Sequence, residues 1–120
     1  MIVHVAECCI SEVAAARQAT EEACLGAEER ARLVDAPVRR LAGVIAAKRA
    51  VLALARGPET CAGGGFGERE VDIGHDPDGA PRLHGVPLPL RSALSQQRLH
   101  ISISHTGDHA YGLAVLEAES

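Results

Sequence analysis

The sequence predicts an α+β fold in which a long helix packs on a mainly antiparallel sheet. Helix-forming segments fill the first half of the chain and strand-like segments collect in the second. Residues 41–55 form a run that is apolar and small on nearly every side. Near the end, His100-Ile-Ser-Ile-Ser104 and residues 111–116 flank a turn at Thr106-Gly-Asp108, the pattern of a hairpin. At 120 residues the chain is long enough for one core, and a single domain over 1–120 is expected.

Ile2-Val-His-Val-Ala6 reads as a short strand with Val3 and Val5 on one face. Ser11 and Glu12 ahead of an alanine-rich stretch predict a capped helix running to Cys24. Ala27–Leu33 is a short charged helix. Asp35-Ala-Pro37 punctuates the chain, with Pro37 near the first turn of the main helix. On that helix Leu41, Ile45, Lys48 and Leu52 share one stripe, flanked by Val44 and Val51, while Ala42, Arg49, Ala53 and Arg56 fall on the adjoining face. Lys48 is thus expected at the edge of the buried stripe. Gly57-Pro58 ends the helix, and residues 62–67 form a glycine-rich connector. Residues 70–73 alternate as a strand, and Asp76-Pro-Asp-Gly79 supplies a turn before a second strand at residues 80–83. A short helix is expected over residues 90–97.

Composition narrows the class. The chain is 47% hydrophobic and 23% charged, as in a globular protein, but holds one Phe, one Tyr and no Trp. Its core must be built from Ala, Leu, Val and Ile. A core of such small side chains makes self-association a natural way to gain burial. The net charge of −4 and the lack of a basic stripe argue against a nucleic-acid partner. No apolar stretch is long enough to cross a membrane and no signal peptide is recognised, so a cytoplasmic protein is expected. Cys8, Cys9, Cys24 and Cys61 form no CxxC pair and are expected as free thiols. The histidines show neither i,i+4 pairing nor a nearby cysteine pattern, so no zinc site is expected.

Lys48 and Arg49 are adjacent cations in an apolar helix, with no carboxylate within one turn on either side. Buried cations are costly without a negative partner. The pair therefore calls either for an external anion or for an acid from elsewhere in the fold. Gly63–Gly65 lacks the Gly-Lys-Ser/Thr ending of a phosphate-binding loop, and a connector is the simpler role.

Several stretches carry a family resemblance. LAGVIAAKRA at residues 41–50 resembles an apolar lead followed by Ala-Ala-Lys-Glu-Ala, and SISHT at 102–106 with Tyr111 resembles a closing hairpin. VDIGHDPDGAPRL at 71–83 and CLGAEERARL at 24–33 fit between and before them in the matching order. Together they resemble the holo-acyl carrier protein synthases, the small type of 4′-phosphopantetheinyl transferase. The resemblance implies that fold, a homotrimer with sites at subunit interfaces, and transfer of phosphopantetheine from coenzyme A to a serine of an acyl carrier protein in fatty acid or polyketide synthesis. It implies Mg²⁺ held by an N-terminal Asp and a helix Glu, with a Lys one turn later assisting proton transfer.

At those places this chain has other residues. Cys9 stands at the Asp position, with Glu7 available on a slip of two; Arg49 stands at the Glu, Ala53 at the Lys, and Val44 at an Arg that follows Leu-Ala-Gly. Mg²⁺ needs hard oxygen ligands, and a guanidinium repels it, so no metal site of that kind is expected. Lys48, Arg49, Ser104 and His105 are the candidate coenzyme A contacts. Arg49 would supply a fixed charge to the pyrophosphate, or else stand as a surface arginine. His105, Cys9 and Glu7 are the candidate catalytic groups. Cys9 is expected near Arg49, where a cation would favour the thiolate, or else as a space-filling thiol. Three functions follow: a coenzyme A-binding partner of acyl carrier protein with or without transfer, a repurposed enzyme acting on a carrier-bound chain, and a non-catalytic carrier-protein partner.

Overall fold

The computed structural model describes residues 1–56, 67–86, 91 and 97–118. Cys61, the Gly63–Gly65 connector, the Gly57-Pro58 helix stop and the helix expected over 90–97, save Arg91 and Gln97, lie outside the described residues. In chain order the elements are β1 (Ile2–Cys9), α1 (Ile10–Ala15), α2 (Arg17–Cys24), α3 (Ala27–Leu33) and α4 (Val38–Arg56). A 3₁₀ turn (Glu68–Glu70) follows, then β2 (Asp72–His75), β3 (Pro81–Gly85), β4 (Gln97–Thr106) and β5 (His109–Ala118).

The sheet is antiparallel throughout. β5 lies between β1 and β4, and β2 pairs with β3 as a separate ribbon. The α+β expectation holds. The hairpin β4–β5 closes through Gly107 and Asp108, with Thr106 opposite His109 and Gly107 at φ 58°. The helix expected from Ser11 to Cys24 is instead two helices. Ala16 leaves helical geometry at φ −135°, ψ 42° and divides the two. The strand expected at 70–73 starts at Asp72, because residues 68–70 take the 3₁₀ turn.

α4 is the centre of the molecule. Every residue from Leu41 to Leu52 is buried except Arg49, and the helix lies across β1, β5 and β4. Small residues allow the approach. A Cβ on Gly112 of β5 would fall 2.4 Å from the backbone of Ala46 and Ala47, so helix and sheet touch backbone to backbone there. This contact stands in for the aromatic rings the composition lacks.

Strand alternation sorts the sheet's side chains into two faces. The inner face, against α4, carries Cys8, Ala110, Ala114, Ile103 and His105. The outer face carries Val3, Val5 and Glu7 of β1, Tyr111, Leu113 and Val115 of β5, and Ser102 and Ser104 of β4.

Candidate functional site

The two cations at the middle of α4 have separate fates. Lys48 is not at the edge of the buried stripe but fully enclosed, 0% exposed. Its Nζ forms an ion pair with Glu29 of α3 and donates to the carbonyls of Glu68, at 3.0 Å, and Val71. Glu29 is 2% exposed and its Oε2 accepts from the Ile73 amide at 2.8 Å. Burial pushes the Glu29 carboxyl above the usual carboxylate range, and Lys48 opposes that push. The negative partner required by the sequence is thus internal, and Lys48 Nζ has no open side toward a ligand. Glu29 escaped the sequence reading because α3 looked like a solvated charged helix. The available signal was its place four residues before Leu33, a carboxylate on the apolar side of that helix.

Arg49 points the other way. Its side chain is 42% exposed; Nε donates to Glu68 Oε1 at 2.8 Å and Nη1 to the Glu7 carbonyl at 3.3 Å. The second Glu68 oxygen accepts from the Cys24 thiol at 3.0 Å. Although burial works against it, the bonds from Cys24 and Arg49 hold the Glu68 carboxyl below its ordinary range. Burial, reinforced by Glu68, pushes the Cys24 thiol up to about 12. Glu68, like Glu29, was not singled out by sequence.

Cys8, like Cys24, feels the Arg49 charge: burial raises its pKa and Arg49 opposes. Cys9, expected there, instead donates to Asp108 Oδ2 at 3.1 Å and lies 3.3 Å from Ser11 Oγ. The reason is strand alternation: neighbouring residues of β1 face opposite sides of the sheet. Asp108 also accepts from the Ser11 amide at 2.9 Å and from its hydroxyl, closing the start of α1 against the β4–β5 turn. The Ser11 bond first, then Cys9, holds the Asp108 carboxyl below its ordinary range.

His105 lies on the inner face at the far end of β4. Its Nε2 bonds the Arg39 carbonyl at 2.9 Å, so Nε2 is the protonated nitrogen. It borders a groove of about 510 Å³ between the start of α4, the β2–β3 ribbon and β4, lined by Arg39, Arg40, His75, Pro81 and Ile103 among others. Burial, with Arg40 and Arg32 adding to it, lowers the His75 pKa. Ser104 faces the opposite side of the sheet and is exposed.

The candidate residues therefore do not meet in one place within a chain. Glu7 and Ser104 share the outer face through Tyr111, whereas His105 is on the inner face. Arg39 and Arg49 are ten residues apart on α4, about 15 Å along its axis, which separates the His105 groove from Arg49. Among the described residues no three His, Cys, Asp or Glu side chains gather to hold a metal ion. No helix among them is long and apolar enough to cross a membrane.

No protein-family profile matches the chain. Its sequence is similar to the holo-[acyl-carrier-protein] synthase of Solidesulfovibrio magneticus, 41% identical over 91 residues, which span 74% of this chain and 72% of that protein. The synthase of Nitratidesulfovibrio vulgaris is 40% identical over 85 residues, 68% of this chain and 65% of that protein, just under two thirds of its length. The fold matches the Helicobacter pylori holo-[acyl-carrier-protein] synthase solved in complex with coenzyme A, with a TM-score of 0.72 at 21% identity, over 97% of this chain and all of that one (100%). Helix, hairpin and ribbon thus occur in the same arrangement, and sequence identity holds across most of the chain. The chain belongs to the holo-[acyl-carrier-protein] synthase family.

Proposed function

We propose that this protein binds coenzyme A and docks an acyl carrier protein, without transferring the phosphopantetheine arm itself. The observation that carries the coenzyme A half is the groove at the start of α4, where Arg39, Arg40, His75 and His105 converge. Two guanidiniums beside one concavity suit a ligand with several phosphates, and arginine grips phosphate bidentately. The solved relative named with coenzyme A shares this fold. The carrier-protein half rests on the relatives, whose names specify the acyl carrier protein.

Transfer requires a cation at the leaving phosphate and an acceptor for the serine proton. At the positions where the resemblance sets those tasks, this chain has Cys9, Arg49 and Ala53. Ala53 accepts no proton, Cys9 is bonded to Asp108, and Arg49 is paired with Glu68. Chemistry on a carrier-bound chain by His105 with Cys9 or Glu7 is not favoured either, since these groups face opposite sides of the sheet.

A homotrimer belongs to the same proposal. Val3 and Val5 are 50% and 62% exposed on an outer sheet face that no described element covers. A partner subunit seated there would bury them, and an interface would also let the groove of one protomer approach Arg49 of another. The proposal is tested by following coenzyme A binding by calorimetry and the mass of an apo-carrier protein incubated with coenzyme A and Mg²⁺. Saturable binding with unchanged carrier mass is expected. A gain of the phosphopantetheine mass would establish transfer, and an absence of binding would remove the coenzyme A reading.

A further inference from the structure

We infer that Arg49, anchored by Glu68, has replaced a divalent cation in this chain, so that the protein holds coenzyme A without metal. This rests on the coenzyme A reading above. The Mg²⁺ implied by the family resemblance would have to be held by the side chains at its two ligand positions. Of the two ligand positions, Cys9 presents a thiol already committed to Asp108, and Arg49 presents a cation. The acid nearest to Arg49 cannot substitute: one Glu68 oxygen accepts from Arg49 Nε and the other from Cys24. Asp108 is similarly engaged, one oxygen by the Ser11 amide and the other by the Ser11 hydroxyl and Cys9. Using Glu68 as a hard-oxygen ligand would therefore break its ion pair, using Asp108 would break the hydrogen bonds at the start of α1, and a guanidinium repels an incoming Mg²⁺.

What the arrangement provides instead is a positioned positive charge. Nε and Nη1 are tied to Glu68 and to the Glu7 carbonyl, which fixes the side chain's direction. A guanidinium has five N–H donors and these bonds use two, so three remain for a phosphate. The side chain is 42% exposed, and it is the one break in the buried surface of α4 between Leu41 and Leu52. Lys48, one residue earlier, is spent on holding Glu29 and the 68–71 segment that carries Glu68. The two cations thus divide the work: Lys48 fastens the segment, and the segment fastens Arg49.

The experiment has two arms on the full-length protein. In the first, Mn²⁺ is titrated into the protein without coenzyme A and free Mn²⁺ is followed by electron paramagnetic resonance. The ion is expected to stay free; a stoichiometric site would overturn the inference. In the second, calorimetry measures coenzyme A affinity in Mg²⁺ and in EDTA. The two dissociation constants are expected to agree within about twofold, and tightening by about tenfold or more in Mg²⁺ would overturn it. Arg49→Gln should weaken binding roughly tenfold to a hundredfold, the range for a charge-assisted hydrogen bond. Arg49→Lys, which keeps the charge, should retain more affinity than Arg49→Gln and stands in for it if the glutamine variant fails to fold by circular dichroism. Wild-type affinity in a folded Arg49→Gln protein would also overturn the inference. Protein that binds no coenzyme A in either buffer refutes the parent proposal and Arg49's ligand role with it, while the manganese arm still decides whether the metal position is closed.

Discussion

At the scale of single residues, two acids supply what the sequence left open. The adjacent cations of α4 needed negative partners, and Glu29 for Lys48 and Glu68 for Arg49 provide them, each from 19 positions away and in opposite directions along the chain. Such pairings are invisible to local spacing, because they depend on how α3 and the 3₁₀ turn fold back on α4. Removing one member of a buried pair leaves an uncompensated charge. Lys48→Met should therefore destabilise the fold by about 3–5 kcal/mol, measured by urea unfolding, and Lys48→Met with Glu29→Leu should recover part of the loss. Glu68 gives a pH prediction. Its folded pKa is lowered from the ordinary 4.5, so its contribution is present above that value and lost as the pH falls through the lowered one. Glu68→Gln should flatten the acid limb of the stability profile relative to wild type; an unchanged limb would show that the Arg49 pairing is not formed in solution.

At the scale of elements, the main helix, the ribbon turn and the closing hairpin were legible because their signals are local. The run at residues 41–55, Asp76-Pro-Asp-Gly79 and Thr106-Gly-Asp108 each specify their own geometry, and Gly79 and Gly107 adopt the positive φ their turns require. The break at Ala16 was not legible, since alanine favours helix and nothing in the residues nearby announces a stop. Nor was the direction of Cys9, where a shift of one residue along β1 exchanges the two faces. The tightest element contact is Gly112 against the α4 backbone. Gly112→Ala would place a Cβ 2.4 Å from Ala46 and Ala47, and backbone cannot yield as a flexible side chain would. A loss of about 1–3 kcal/mol or more is expected by thermal or urea unfolding, whereas Gly79→Ala, with open space around it, should cost only the strain of its φ of 90°.

At the scale of the whole molecule, the family and the fold were legible from motif order, but the grouping of the candidate residues was not. The family resemblance brought Lys48, Arg49, Cys9, Glu7, Ser104 and His105 into one expected site. The fold distributes them among a buried ion pair, a surface arginine, a capped helix start, an outer sheet face and a cationic groove. A single chain leaves the groove and Arg49 about 15 Å apart along α4, and a trimer is the arrangement proposed to join them. Analytical ultracentrifugation should show trimers for the wild type. Val5→Glu, adding charge to the exposed outer face, should shift the population toward monomers without loss of helical signal; wild-type behaviour of this variant would exclude that face as the interface.

The groove at the start of α4 is proposed to bind coenzyme A through its cationic rim. Calorimetric titration of coenzyme A into the wild type and into the Arg39→Glu/Arg40→Glu variant tests it most directly. Saturable binding by the wild type, weakened at least about tenfold in the folded variant, is the expected result. Equal affinity in both proteins, or no saturable binding by the wild type, would contradict it.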